Sequence, residues 1–152
     1  MKKLTILILA ASVLPTGASA EALWMRDVKI SPDGTRIAFE YKGDIFTVPA
    51  TGGMATRLTT NPAYDSNPIW SPDGKSIAFA SARHGNFDVY VMPSGGGTAT
   101  RLTRNQAAEI PEAFSPDGRT VYFSAAIQNP AQSAMFPSSR MSEFYAVGVE
   151  GG

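Results

Sequence analysis

Three short segments of the chain alternate apolar and polar positions with a period of two residues. Alternation of this kind predicts β-strands, in which successive side chains point to opposite faces of a sheet. The alternating apolar residues form one face of each strand. The opposite face is also largely apolar, at Ala38, Ala78 and Tyr122. Because a strand with two apolar faces must be covered on both sides, we expect these strands to lie between other sheets. The segments are TRIAFEY from Thr35, KSIAFAS from Lys75 and TVYFSAA from Thr120.

Each predicted strand follows a Ser-Pro-Asp-Gly turn. The turns begin at Ser31, Ser71 and Ser115, so they recur after 40 and 44 residues. Proline presets φ for the second position of a type I turn, aspartate suits the third, and glycine accepts the left-handed conformation that follows. The turn therefore reverses the chain from an inner strand into the second strand.

A second repeated phrase predicts a third strand and a further reversal. It reads DIFTVPATGG from Asp44, DVYVMPSGGG from Asp88 and EFYAVGVEGG from Glu143. Pro49 and Pro93 end the strand, because proline cannot donate to the ladder. Gly-rich turns then lead into a fourth segment in the first two repeats.

The fourth segment reads ATRLTT from Ala55 and ATRLTR from Ala99. Its threonines surround Arg57 and Arg101, so we interpret it as a polar outer edge that resists aggregation. A period of 40 to 45 residues built from short strands is typical of a β-propeller, with one four-stranded blade per repeat. The fold class is therefore all-β, a partial propeller with blades at about 24–60, 61–104 and 105–152.

The third repeat ends before a fourth strand. Propellers close with typically 4 to 8 blades, whereas this sequence contains two complete blades and most of a third. We therefore expect either a longer natural product or a second chain that supplies the missing blades.

The first twenty residues read as an export signal. Lys2 and Lys3 precede an apolar run from Leu4 to Leu14, and Ala18-Ser19-Ala20 provides small residues for cleavage. The run is shorter than the roughly 20 residues needed to span a bilayer. We predict a periplasmic or secreted protein, cleaved near Ala20, with a propeller domain over 21–152.

The composition narrows the classes of partner. Lys plus Arg and Asp plus Glu number 13 each, and such a neutral balance argues against nucleic acid. The absence of cysteine excludes disulfides and thiolate metal sites. Neither a cofactor nor a metal is expected. Homo-oligomerisation remains open.

The loops between the second and third strands are where the repeats differ most. From the turn glycine to the acidic residue that opens strand three there are 10, 14 and 25 residues. Variable loops on a fixed scaffold commonly bind ligands. The third contains the insertion IQNPAQSAMFPSSR (127–140), which either docks a partner or folds back onto its blade. The candidate peptide or partner contacts are Lys42, Arg83, His84, Met135, Phe136 and Arg140, with solvated surface charge as the alternative for the basic ones.

Several apparent catalytic or ligand motifs lack the residues they need. His84 is the only histidine, and no G-x-S-x-G elbow is present, so a loop role is favoured over catalysis or metal binding. The run 95–97 joins two strands and lacks the Gly-Lys-Ser/Thr of a phosphate-binding loop. One carboxylate per turn, at Asp33, Asp73 and Asp117, makes a poor calcium site.

The phrase P-x-W-S-P-D-G-K-x-I-A-F, followed by D-V-Y-V-M-P and R-L-T, resembles the PD40 (TolB-type) propeller repeats. WMRDVKISPDG, YKGDIFTVPATGG, RHGNFDVYVMPSGGG and FSAAIQNPAQSAMFPSS resemble the N-terminal propeller of bacterial tricorn-type proteases, the S41 serine peptidases. The resemblance covers the whole segment after the export signal.

The resemblance implies a propeller that guides peptides toward a protease core and supports that core. In the family, a second propeller, a PDZ domain and the catalytic core follow, so no catalytic residue is expected within this sequence. Two alternatives remain. One is a non-enzymatic TolB-like binding propeller of the cell envelope, and the other is the propeller of a prolyl-oligopeptidase-type peptidase.

Overall fold

A computed structural model describes residues 24–126 and 142–151. Within these ranges the chain forms β-strands joined by turns and contains no helix. The strands are β1 (Arg26–Ile30), β2 (Arg36–Tyr41), β3 (Asp44–Pro49), β4 (Thr56–Arg57), β5 (Asp65–Trp70), β6 (Ser76–Ser81), β7 (Asp88–Pro93), β8 (Thr100–Arg101), β9 (Glu109–Phe114), β10 (Thr120–Ala125) and β11 (Glu143–Gly148).

The strands form three antiparallel sheets in which chain neighbours are hydrogen-bonded. The orders are β1-β2-β3-β4, β5-β6-β7-β8 and β9-β10-β11, and we call these sheets blades 1, 2 and 3. Strand β5 contacts both β1 and β9, so the first strands of the blades meet along one axis. The predicted all-β, partial propeller is therefore confirmed. The predicted export signal lies outside the described residues and stays a prediction.

The serine of each Ser-Pro-Asp-Gly turn connects the turn to the strand after it. The Ser31 hydroxyl donates to Asp33 Oδ1 at 2.6 Å and accepts from the Arg36 N–H at 2.9 Å. The Gly34 N–H donates to the Ser31 carbonyl at 2.9 Å, with φ of +72° at the glycine. The same bonds recur in the turns that begin at Ser71 and Ser115, which explains why the phrase is repeated.

The core consists of two apolar layers, one between each pair of neighbouring blades. We call the face that a blade turns toward the preceding blade its leading face, and the opposite one its trailing face. The trailing face of blade 1 packs on the leading face of blade 2, and the trailing face of blade 2 packs on blade 3. The first layer contains Ala38, Ile45, Leu58, Ile77, Phe79, Tyr90 and Met92, and the second contains Ile69, Ala78, Val89, Leu102, Val121, Phe123 and Ala125.

One position of the trailing face differs between the blades. In the register of the first and second strands, Ala38 faces Lys29, Ala78 faces Ile69, and Tyr122 faces Ala113. The two alanines are fully buried, whereas Tyr122 is 42% exposed. A small residue in blades 1 and 2 is thus replaced by an aromatic one in blade 3.

The fourth strands are more than polar edges. Arg57 is exposed, as predicted, but the Arg101 side chain is only 21% exposed because it pairs with Asp88 at 2.8 Å. The fourth segment of blade 2 is the outer edge strand of its sheet, as predicted, although Arg101 is partly buried there. The leucine that follows each arginine, Leu58 or Leu102, is buried in an inter-blade layer. The R-L-T phrase thus contributes a charge partner and a core residue.

Candidate binding surface

The loops that differ between repeats lie together at one end of the blades, opposite the Ser-Pro-Asp-Gly turns. We call this end the variable-loop end, formed by residues 41–43, 60–64, 82–87 and 104–108. The Asp65 N–H donates to the Gly43 carbonyl, and the Glu109 N–H donates to the Phe87 carbonyl, each at 2.8 Å. Each linker into a new blade is therefore hydrogen-bonded to the loop of the blade before it.

Lys42 is exposed at this end. Its backbone φ is +53°, and its ammonium lies 5.2 Å from the centroid of the Tyr41 ring. An ammonium over an aromatic face is attracted by the ring quadrupole. The ammonium of the exposed Lys42 therefore lies near the Tyr41 ring, and the predicted role of Lys42 as a contact stays a prediction.

Tyr64 connects the first linker to a buried carboxylate. Its hydroxyl donates to Glu40 Oε1 at 2.7 Å, and its ring meets Phe87 edge-on at 6.2 Å between centroids. Glu40 is buried at the end of β2. The hydrogen bond to Glu40, together with partial burial, raises the pKa of Tyr64. This pair could not be predicted from the sequence, because the two residues are 24 positions apart in different blades.

Arg83 folds back onto its own blade. Its guanidinium pairs with the fully buried Asp65 carboxylate at 3.0 Å. It also lies 5.4 Å from the centroid of the Phe79 ring and 5.1 Å from that of Tyr90. The side chain is only 17% exposed, so it is neither a solvated charge nor a freely presented one. Its role as a partner contact stays a prediction.

His84, the next residue, is exposed but anchored. Its Nδ1 lies 2.7 Å from the Tyr90 hydroxyl, and the two rings stack with centroids 6.4 Å apart. Burial raises the pKa of Tyr90, so this hydroxyl is protonated at neutral pH. Nε2 is therefore the ring nitrogen left for a ligand. The other candidates, Met135, Phe136 and Arg140, lie outside the described residues.

A concavity runs along the common axis of the blades, and we call it the axial groove. Its volume is about 660 Å³. Val28 and Ile30 are 52% and 63% exposed in its wall, and Lys29 and Glu112 add one charge of each sign. The Trp70 indole N–H donates to the Lys29 carbonyl at 3.1 Å and joins two blades there.

The sequence prediction placed no candidate in this groove. The groove could nevertheless have been located from the sequence. The residues just before each Ser-Pro-Asp-Gly turn end an inner strand, and the inner strands meet at the axis. Two smaller grooves, of about 350 and 390 Å³, adjoin the axial groove and separate successive Ser-Pro-Asp-Gly turns. Among residues 24–126 and 142–151, no group of three or more histidine, cysteine, aspartate or glutamate residues could hold a metal.

Residues 24–126 and 142–151 contain no long apolar helix of the kind that crosses a bilayer.

The strands of each blade follow one another outward from a common axis, which carries the axial groove, and apolar layers lie between the blades. These features define a β-propeller. Residues 22–152 match the family model described as "Tricorn protease N-terminal beta propeller domain". The chain belongs to this family.

Relatives and solved structures point to the same fold. The chain is 33% identical over 76 residues to a protein TolB homolog from Chlorobium luteolum, which is 50% of this chain and 17% of that protein. It is 43% identical over 56 residues to the uncharacterized peptidase YuxL from Bacillus subtilis, 34% of this chain and 8% of the other. The crystal structure of the tricorn protease superposes with a TM-score of 0.63 at 16% identity, covering 82% of this chain and 13% of that one. The chain thus spans less than a fifth of the curated relatives it matches.

Proposed function

We propose that this chain is the propeller part of an exported, tricorn-like serine peptidase, periplasmic or secreted after cleavage near Ala20. In this proposal the propeller guides peptides along its axis and supports a protease core outside these residues. The observation that carries the proposal is the family match over 22–152, which covers all three blades.

The axial groove supports peptide guidance. The inner strands β1, β5 and β9 have one hydrogen-bonded neighbour each in the described part of the chain, so their other edges face the axis. Free strand edges offer N–H and C=O groups to an extended chain. Exposed apolar side chains at Val28 and Ile30 would contact peptide side chains, and Lys29 and Glu112 would orient charged ones.

The residues seen here support no hydrolytic role for this part alone. A serine peptidase needs a nucleophile within hydrogen-bond reach of a base. The side-chain partner of His84 in the described residues is the Tyr90 hydroxyl, and a buried tyrosine in that position holds the imidazole in place. We therefore assign the catalytic residues to a separate part of the enzyme.

A second candidate is a non-enzymatic, TolB-like binding propeller, favoured by the 33% identity to the TolB homolog over 76 residues. The similarity over 56 residues to YuxL, an uncharacterized peptidase, favours a propeller that accompanies a peptidase, which both the tricorn-like and the prolyl-oligopeptidase-type candidates include. All three share a propeller that binds or filters polypeptide. They differ in whether a hydrolase accompanies it.

Peptide binding is tested with Trp70 as the reporter. A Trp24→Phe variant removes the second tryptophan, which is 70% exposed. Addition of an extended-peptide mixture should change the fluorescence, and Ile30→Asp should reduce apparent affinity about tenfold, because one charged residue in an apolar wall weakens hydrophobic contact. Met54→Asp, at a residue 90% exposed outside the groove, is the matched control. Equal affinity in both variants would remove the axial groove from the proposal.

The enzyme assignment is tested on the native product. An antibody against residues 21–152 should detect a species much larger than 16.1 kDa that reacts with a fluorophosphonate probe for activated serines. A large species that does not react favours the TolB-like candidate. The purified 152-residue chain itself should hydrolyse no peptide.

A further inference from the structure

Two grooves of the same construction separate successive Ser-Pro-Asp-Gly turns. The first turn groove lies between the turns that begin at Ser31 and Ser71, and the second turn groove lies between those that begin at Ser71 and Ser115. Each is lined by the prolines and aspartates of its two turns. Each also contains an aromatic residue that ends an inner strand, Trp70 in the first and Phe114 in the second. The second groove can therefore be compared with the first, position by position.

An arginine of the chain itself lies in the first turn groove. Arg36, on β2, lines this groove, and its guanidinium carbon is 5.2 Å from the centroid of the Trp70 ring. The guanidinium donates to Thr47 Oγ1 at 2.9 Å and to the Ser94 carbonyl at 2.8 Å. It thereby connects the third strand of blade 1 to the turn after the third strand of blade 2. An aromatic face and two oxygen acceptors together hold the planar cation.

The second turn groove has a serine at the position of this arginine. In the register of the second and third strands, Ser76 faces Pro93 as Arg36 faces Pro49. The side chain of a serine is too short to cross the groove. The surface that Arg36 covers in the first groove is therefore open in the second.

The residues that line the two grooves show this difference. Val91 occupies the position of Thr47, because each faces an alanine of the second strand. Val149 occupies the position of Ser94, because both N–H groups donate to the carbonyl that precedes the second strand, at 3.0 and 2.8 Å. Both valines line the second groove, whereas neither Thr47 nor Ser94 lines the first. The floor of the second groove is therefore accessible to a side chain from another molecule.

This floor is apolar and aromatic. Phe114, Val91 and Val149 are each partly buried in it. An arginine side chain can lay its methylene groups along such a surface, and its guanidinium is attracted to the face of an aromatic ring. Phe114 thus takes the place that Trp70 has beside Arg36.

The rim of the second turn groove is acidic. Glu150 is exposed there, at a position where blade 2 has a glycine. The turn carboxylates of Asp73 and Asp117 flank the floor. A hydrogen bond from the turn serine is the main cause that lowers the pKa of each, so both are ionised at neutral pH. Of the described residues that line this groove, three are acidic and none is basic.

Both walls of the second turn groove come from blades 2 and 3. They are formed by strands and turns within the described residues. In blade 2 the chain continues into β8 after the corresponding turn, and no residue of β8 lines the first groove. The second groove is therefore independent of a fourth strand in blade 3.

We propose that the second turn groove is a binding site for an arginine side chain of a polypeptide. The methylene groups of the arginine lie on Val91 and Phe114, and its guanidinium pairs with the Glu150 carboxylate. Charge complementarity selects a cation, and the first groove, where Arg36 has the equivalent place, selects arginine. The inference goes beyond the proposed function, because it assigns a side-chain specificity to a propeller with or without a peptidase core.

The test uses the 152-residue chain and two small probes, acetyl-arginine amide and its neutral isostere acetyl-citrulline amide. NMR follows the backbone amide shifts of Phe114, Val149 and Glu150 during titration with each probe. We expect the arginine probe to shift these amides to saturation and the citrulline probe to bind about fivefold more weakly, because it has no charge. Glu150→Gln should weaken binding of the arginine probe by a similar factor. Glu143→Gln, an exposed residue of blade 3 outside the groove, is the matched control.

A second variant supplies the groove with an arginine of its own. Ser76→Arg should abolish binding of the arginine probe and raise the thermal midpoint, because it repeats in blade 2 the arrangement around Arg36. A lower midpoint, or unchanged binding of the probe, would contradict the proposal. Absence of saturable shifts, or equal affinity for both probes, would overturn it as well.

The axial groove is tested separately. Ile30→Asp, the variant that disables the axial groove, should leave the affinity for acetyl-arginine amide unchanged, because Ile30 does not line the second turn groove. Failure of peptide guidance along the axis and failure of this inference are therefore distinguishable. A loss of probe affinity in Ile30→Asp would assign the probe to the axial groove instead and overturn the inference.

Discussion

Asp88 and Arg101 form an ion pair at 2.8 Å in which the carboxylate side chain has no solvent-exposed surface. The contact is one of charge, since neither carboxylate oxygen has an aligned hydrogen bond to the described residues. The equivalent pair of blade 1, Asp44 and Arg57, is closer, at 2.7 Å, but its side chains are 14% and 47% exposed. The same two residue types therefore occupy very different dielectric environments.

Arg101→Ala should consequently cost far more stability than Arg57→Ala. Removal of one partner of a buried pair leaves an uncompensated charge, at a cost of about 3 kcal/mol. Exposed pairs contribute on the order of 0.5 kcal/mol. Urea unfolding followed by circular dichroism measures both variants under one condition. Similar losses of unfolding free energy in the two variants would mean that the burial of Asp88 does not determine how much its ion pair contributes to stability.

The carboxylate of Asp33 should titrate unusually low. The Ser31 hydroxyl first, then the N–H and hydroxyl of Thr35, stabilise the charged form and lower the pKa of Asp33 to about 2. Because the folded-state pKa lies below the ordinary 3.8, this contribution to turn stability is present above about pH 4 and is lost as pH falls toward 2. Carboxyl carbon NMR should show the Asp33 pKa rising in Ser31→Ala. Ser71→Ala should leave it unchanged.

The inner strands contain a local irregularity that also predicts a mutational effect. Asn67 has φ of +51° at the shift of register between β5 and β6, a conformation that most side chains resist. Asn67→Ala should therefore destabilise the chain by about 1 kcal/mol, whereas Asn67→Gly should be close to neutral. Thermal unfolding of the two variants gives the comparison. A glycine variant as unstable as the alanine one would attribute the effect to the lost amide side chain.

The Tyr64–Glu40 pair predicts a pH dependence at the alkaline end. The hydrogen bond to Glu40 is the main cause of the raised pKa of Tyr64, so Glu40→Gln should lower that pKa toward 10. A raised folded-state pKa stabilises the protein below pH 10, and this stabilisation is lost as pH rises through the folded value. Ultraviolet titration of the ionised phenol measures the shift. Glu143→Gln, which instead contacts Tyr145, should leave Tyr64 unaltered.

The repeated phrases predicted the strands and their faces because both depend on local rules. Turn chemistry located the reversals, and a two-residue period assigned Ile77 and Phe79 to one face of β6 and Ala78 to the other. The layers between blades contain these side chains as the pattern required. The location of the variable loops at one end follows in the same way from antiparallel connections.

Long-range side-chain partners could not be predicted in this manner. Arg83 belongs to a loop, and no local pattern says that it returns to Asp65, 18 residues earlier. The two-residue strand β8 is too short to show a period, so the burial of Arg101 depended on the register after a glycine turn. The axial groove is likewise formed only when three inner strands meet.

The exchange of Ala38 and Ala78 for Tyr122 makes the three repeats non-interchangeable. The methyl group of Ala38 leaves room for Ile77 and Phe79 of blade 2, and the methyl group of Ala78 leaves room for Val121 and Phe123 of blade 3. A gene shuffled so that blade 3 precedes blade 2 would force a phenol into that space, at an overpacking cost of about 1–3 kcal/mol. The three repeats therefore share a turn phrase but not a packing surface, and their order along the chain is set by which side chains fit against the next blade.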